Sequence, residues 1–113
     1  MDAQQYRKEI DRTMNDELTP RAKLSMLGLG IAGEAGELVD SIKKHVYHGH
    51  EMDIEDLTKE LGDLDWYITH LKKHFGITDE EVREKNIAKL RKRYAEGFSE
   101  EASKNREEYG SQE

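Results

Sequence analysis

Residues 19–50 read TPRAKLSMLGLGIAGEAGELVDSIKKHVYHGH, and the spacing of their apolar side chains decides the fold. Leu24, Leu27, Ile31, Ala35, Leu38, Ile42 and Val46 recur every three or four residues, which places them on one face of a helix. Thr19-Pro20 begins that helix, since threonine can cap it and the missing N–H of proline is harmless at the first position. Within the run from His45 to His50, Gly49 suits the left-handed conformation of a C-terminal cap. Four glycines, at positions 28, 30, 33 and 36, interrupt the helix, each weakening it by about 0.5–1 kcal/mol relative to alanine. Something other than helix propensity keeps them there.

The flanking sequence is helical as well. Upstream, Tyr6, Ile10 and Met14 are spaced by four and predict a short helix from about Asp2 to Asn15. Downstream, Asp53 caps a third helix whose stripe is Ile54, Leu57, Leu61, Leu64, Ile68, Leu71 and Phe75, and Gly76 stops it. A fourth helix opens with Thr78 and Glu81 as a capping box and Ile77 and Val82 as a hydrophobic staple, carries Val82, Leu90 and Tyr94 on its apolar face, and ends at Gly97. No segment shows the period-2 alternation of a strand, and the connections are short, which favours antiparallel neighbours. The expected fold is all-α: one domain over residues 1–98, an antiparallel bundle of about four helices, followed by a polar tail over 99–113 with at most a short helix near Glu100 to Glu107.

Composition bounds the function. The chain has 113 residues, 35% hydrophobic and 38% charged, with a formal net charge of −7. So small and polar a chain buries little apolar surface alone, and its core is expected to be completed by self-association. The acidic balance disfavours polymeric nucleic acid as a partner, because phosphate backbones attract basic surfaces. Without cysteine there is no disulfide framework, zinc-thiolate site or thiol nucleophile. Met1 to Lys8 lack the apolar core of a signal peptide, and no apolar run approaches the ~20 residues of a membrane span. A cytoplasmic protein without membrane association is expected.

Two carboxylate ladders carry the chemistry. Glu34 and Glu37 form E-x-x-E on the second helix, and Glu60 and Asp63 form E-x-x-D on the third, each pair one turn apart. At ~100° per residue, Glu34 lies roughly 80° from its apolar stripe and Glu60 roughly 70° to the same side of its own. If the stripes face each other in an antiparallel hairpin, equal offsets fall on the same edge and the four carboxylates converge. Like charges gathered without a partner raise one another's pKa or drive each other apart, and a divalent cation removes the conflict. All-oxygen ligands indicate a hard ion, Mg²⁺ first and Mn²⁺ as a substitute. Gly33, Ala35, Gly36 and Gly62 beside the ladders would let helices approach and leave room for bound water and a ligand. Lys44 continues the ladder of Glu34 and Glu37 and is placed to reach a phosphate; Tyr67 continues that of Glu60 and Asp63 and is placed to flank a base.

The stretch from Gly30 to Asp40, followed by Glu60-Leu61-Gly62-Asp63 with 22 residues between Glu37 and Glu60, resembles the E-x-x-E…E-x-x-D signature of MazG-type nucleoside triphosphate pyrophosphohydrolases. The later Asn86, Lys89, Leu90, Arg93, Tyr94, Gly97 and Phe98 resemble that family's closing helix. The resemblance covers roughly residues 20 to 98 and is nearest to short, single-domain, phage-like members. It implies a dimer or tetramer with Mg²⁺ held by Glu34, Glu37, Glu60 and Asp63. It also implies hydrolysis of a (deoxy)nucleoside triphosphate between the α and β phosphates, giving the monophosphate and pyrophosphate. Metal-held oxygens neutralise developing charge and lower the pKa of an attacking water, and Glu34 or Glu37 is the candidate base for its proton. Asn86 sits on the apolar face four residues from both Val82 and Leu90, where a buried amide needs a partner, and the resemblance makes it a nucleotide contact. Lys89 and Arg93 become candidate phosphate ligands.

Three other patterns carry less. Gly28-Leu29-Gly30-Ile31-Ala32-Gly33 matches G-x-G-x-x-G, but no strand precedes it. His45, His48 and His50 cluster in a helix-end loop, where histidines are usually solvated. No histidine has a glutamate three residues before it, so a ferritin-like di-iron site lacks its E-x-x-H ligands. The alternatives are a phosphoribosyl-ATP pyrophosphohydrolase, which shares the chemistry, and a non-enzymatic helical dimerisation module whose acidic ladders only solvate it.

Overall fold

The computed structural model describes residues 1–105, and every regular element among them is a helix. These are α1 (Ala3–Asp11), α2 (Pro20–Tyr47), α3 (Ile54–His74), α4 (Asp79–Arg93) and α5 (Glu100–Asn105). Two compact units divide them, Met1–Gly76 with α1 to α3 and a second unit from Ile77 onward with α4 and α5. The final part of the expected tail helix, Arg106 and Glu107, lies outside the described residues.

Local chemistry sets the helix ends. Thr19 Oγ1 accepts from the Ala22 N–H with Pro20 following it, and Asp53 accepts from the N–H groups of Glu55 and Asp56. Gly49, Gly76 and Gly97 adopt φ of 72°, 66° and 85°, the left-handed region expected of glycines that end or follow helices. At α4 the Thr78 side chain accepts from Glu81 N–H, the first half of the expected box. The reciprocal box forms at α1 instead: Asp2 accepts from the Gln5 N–H while the Gln5 side chain accepts from that of Asp2.

α1 is shorter than the spacing of Tyr6, Ile10 and Met14 suggests. Past Asp11 the N–H groups of Arg12, Thr13 and Met14 bond three residues back, to Glu9, Ile10 and Asp11, which tightens the chain into a turn. The α4 helix likewise ends at Arg93, ahead of the Tyr94–Gly97 turn in which Gly97 N–H bonds Tyr94 O at 2.9 Å.

In the first unit, α2 and α3 form an antiparallel hairpin. Gly30 lies against the Tyr67 ring, and Ser41 Oγ bonds Glu60 at 3.2 Å, so residues later on α2 meet residues earlier on α3. α1 docks on α3 by a second set of contacts: Ile10 is buried, the His70 ring lies 3.3 Å from Ile10 O through Nε2, and Lys73 pairs with Asp11. Among the described residues only two apolar side chains, Ile10 and Leu27, are buried, and Leu27 alone completely. Leu29, Val39, Ile42, Val46, Ile54 and Leu61 remain exposed.

Candidate active site

The two ladders lie along one edge of the α2–α3 hairpin. Glu34 and Asp63 share a cleft of about 380 Å³ with Thr13, Trp66 and Tyr67. One turn further along, Glu60 lines a second cleft of about 180 Å³ with Ser41, Lys44 and the loop from His50 to Asp53.

Glu34 is the electrostatic focus. Its Oε2 is shut off from solvent and has no hydrogen-bond partner, although the residue as a whole is only half-buried. Its pKa is raised above the ordinary 4.5, first by desolvation, then by the charges of Glu37, Asp63 and Glu60. All three partners from the sequence reading therefore act on Glu34, which is the convergence that the matched offsets require. The side chains are gathered but not closed around a point: among the described residues, no three His, Asp or Glu groups stand as a ready-made metal-ligand set. Repulsion between carboxylates explains this spread, and the donor that turns aside has a partner, since Ser41 holds both Glu60 oxygens at 3.3 and 3.2 Å. A buried, unpartnered carboxylate oxygen facing three further carboxylates fits a hard divalent cation.

Ser41 was missed by the sequence reading although its signal was present. It sits seven residues after Glu34 and four after Glu37, on the ladder that reaches Lys44. Lys44 pairs with Asp40 at 2.9 Å and Lys43 with the same carboxylate at 3.3 Å, and these two hydrogen-bonded ammonium groups hold the Asp40 pKa down. Thr13, Trp66 and Tyr6 were also missed. Trp66 Nε1 donates to Thr13 Oγ1 at 2.7 Å, and the Tyr6 phenol, whose pKa is raised by burial and then by Asp65 and Asp63, faces the same side of α3.

Tyr67 lines the cleft and fixes the role of one glycine. A Cβ on Gly30 would lie 2.1 Å from Cε1 of the Tyr67 ring, so only glycine lets the ring rest there. Gly33, Gly36 and Gly62 correct the expectation of close helix approach: a Cβ on any of them meets nothing within 4 Å, and they border open space. Asn86, Lys89 and Arg93 lie on α4 in the second unit. Asn86 is exposed there, which corrects the premise of a buried amide, because Val82 on the same face is itself 40% exposed. Lys89 and Arg93 are half-buried and engaged in interactions, the Arg93 guanidinium lying 5.6 Å from the centre of the Tyr94 ring.

The model of the MazG nucleotide pyrophosphohydrolase domain matches residues 23–98, a span that contains both ladders and α4. The chain belongs to the MazG family. A relative, the gene 37 protein of Mycobacterium phage L5, is 31% identical over 87 residues, covering 74% of this chain and 76% of that protein. No solved structure matches the chain. Nucleotide pyrophosphohydrolysis is the activity of the MazG domain, and divalent-metal dependence is general in the family. Residues 1–22, including all of α1 and the turn bearing Thr13, precede the MazG match.

Proposed function

We propose that this MazG domain hydrolyses a (deoxy)nucleoside triphosphate between its α and β phosphates, releasing the nucleoside monophosphate and pyrophosphate, in nucleotide-pool housekeeping in the cytoplasm. The observation that carries this reading is the orphaned Oε2 of Glu34 among Glu37, Asp63 and Glu60. These four carboxylates would hold Mg²⁺, with Mn²⁺ as a substitute. When bound, the ion supplies charge neutralisation at the phosphate oxygens and acidifies a coordinated water.

The chain's own groups do the rest. Glu34 and Glu37 lie one turn apart on α2, and one of these two carboxylates is the candidate acceptor for the proton of the attacking water. Ser41 orients Glu60 by donating to it. Tyr67, resting on Gly30, offers a flat wall for the base or sugar. Lys44 on α2 supplies positive charge for the phosphates; Asn86, Lys89 and Arg93 on α4 are candidate nucleotide and phosphate contacts on the family resemblance alone. A homodimer or homotetramer is the working assembly.

The test is pyrophosphate release from a panel of canonical and modified (d)NTPs and from phosphoribosyl-ATP, with and without Mg²⁺. Mg²⁺-dependent release from at least one (d)NTP supports the reading. Turnover confined to phosphoribosyl-ATP would reassign the substrate. No turnover, with a melting temperature indifferent to Mg²⁺, would leave only a helical association module.

A further inference from the structure

The cleft that holds Glu34 and Asp63 is walled by a residue from outside the MazG match. Thr13 lies in the turn after α1, and both capacities of its hydroxyl are in use: it donates to Ile10 O at 2.7 Å and accepts from Trp66 Nε1 at 2.7 Å. The first bond ties it to the buried end of α1, the second to the aromatic wall of the cleft. Trp66 stands edge-on to Tyr67, ring centres 4.9 Å apart at 75°, and edge-on to the buried His70 at 4.3 Å and 61°. Tyr67 in turn is confined on its other side by Gly30. A chain of direct contacts thus runs from α1 through Thr13 and Trp66 to the ring that faces the cleft.

We propose that Thr13 is a positioning residue for nucleotide binding: its hydroxyl locks the Trp66 indole and, through it, the Tyr67 ring in the orientation that receives the nucleoside end of the substrate. This rests on the nucleotide-hydrolase reading above. The base and sugar gain no charge and change no bond as the phosphoanhydride is cleaved, so contacts to them are made equally in ground and transition states, and their loss appears in KM rather than kcat. A neutral hydrogen bond of this kind corresponds to about a three- to tenfold effect.

Trp66 is the only tryptophan of the chain, so its emission reports the wall directly. The full chain is compared with Thr13→Val, which keeps the branched shape without the hydroxyl, with Thr13→Ser, which keeps the hydroxyl, with Trp66→Phe and with the Thr13→Val/Trp66→Phe double variant. Thr13→Val is expected to raise KM for the turned-over triphosphate about three- to tenfold with kcat within about twofold. It should also shift the Trp66 emission and weaken its quenching by nucleotide. Thr13→Ser should restore both readouts. Trp66→Phe should raise KM, and adding Thr13→Val to it should change nothing further, because the two substitutions remove one shared bond. An unchanged KM in Thr13→Val, failure of serine to rescue, or additive effects in the double variant would each overturn the proposal. A purely structural role would lower the melting temperature and leave KM unmoved. If the unsubstituted chain turns over no triphosphate, the nucleotide-hydrolase reading fails and this one with it; turnover with an indifferent Thr13→Val sinks this one alone.

Discussion

Glu34 and Gly30 show how single residues on one helix answer to different constraints. Glu34 carries an unpartnered buried oxygen and a raised pKa, an arrangement that opposes ionisation until a cation is present. Glu34→Gln is therefore expected to raise the melting temperature in EDTA, where it removes repulsion, and to abolish the further rise that Mg²⁺ gives the unsubstituted chain; thermal melts with and without the ion check both halves. Glu60→Gln should lower kcat/KM by about a hundredfold or more while circular dichroism keeps its helical form, since Ser41 can still bond the amide. Retained activity would remove Glu60 from the metal site. For the glycines, Gly30→Ala drives a methyl into Tyr67, and the ring must swing into the cleft, at a stability cost of about 1–3 kcal/mol with a raised KM. Gly33→Ala meets open space and should stabilise the isolated chain by about 0.5–1 kcal/mol through helix propensity. Chemical denaturation of the pair separates a glycine needed for intrachain contact from one that borders the site. If Gly33→Ala nevertheless lowers activity, the space it fills is used by substrate or by a neighbouring subunit.

At the scale of elements, the hairpin of α2 and α3 was legible because period, caps and stop glycines all agreed, and the matched offsets of Glu34 and Glu60 predicted which edge would collect charge. The docking of α1 was not legible. The stripe from Ile54 to Phe75 marks the side of α3 that sequence reasoning expects to be buried, yet the buried residues of α3 are Thr69 and His70, off that stripe. α1 is held largely by polar groups, Trp66 to Thr13, His70 to Ile10 O and Lys73 to Asp11 and Arg7 O, and hydrogen-bonding side chains leave no hydrophobic period to read. His70 makes this docking sensitive to pH. Its pKa is lowered from 6.5, chiefly by burial and further by Lys73 on α3 and Lys23 on α2, against the opposing pull of Ile10 O and Asp11. Between the lowered folded value and 6.5 the unfolded chain binds more protons than the folded one, so stability rises with pH in that window. Stability is expected to be fully present above pH 6.5 and to fall as pH drops through the folded pKa of His70. His70→Gln, which keeps an N–H for Ile10 O and cannot become charged, should flatten that slope; denaturation curves between pH 5 and pH 7.5 measure it, and an unchanged slope would remove His70 as its source.

The whole molecule joins a small core to a large charge. Two buried apolar side chains among the described residues are few for a chain of 113, while Leu29 at 72%, Val39 at 63% and Val46 at 59% exposure all lie on α2, the helix that carries half of the carboxylates proposed to hold the metal. Burying each of these side chains would contribute about 1.5–3 kcal/mol, a large fraction of the net stability of a small domain. Solvent is a poor final environment for such a surface, and a second copy of the chain is expected to cover it. The net charge of −7 opposes bringing copies together, so association should strengthen with salt and with Mg²⁺ at the acidic edge. The chain is thus expected to sediment as a dimer or tetramer and to melt at higher temperature as its concentration rises, the signature of folding linked to assembly. Val39→Glu places a carboxylate on the exposed apolar surface and should convert the assembly to monomer with loss of both the concentration dependence and a large part of the activity. Sedimentation of the variant beside the unsubstituted chain decides it: a monomer at all concentrations in the unsubstituted protein would mean that α2 carries its exposed apolar residues without covering them.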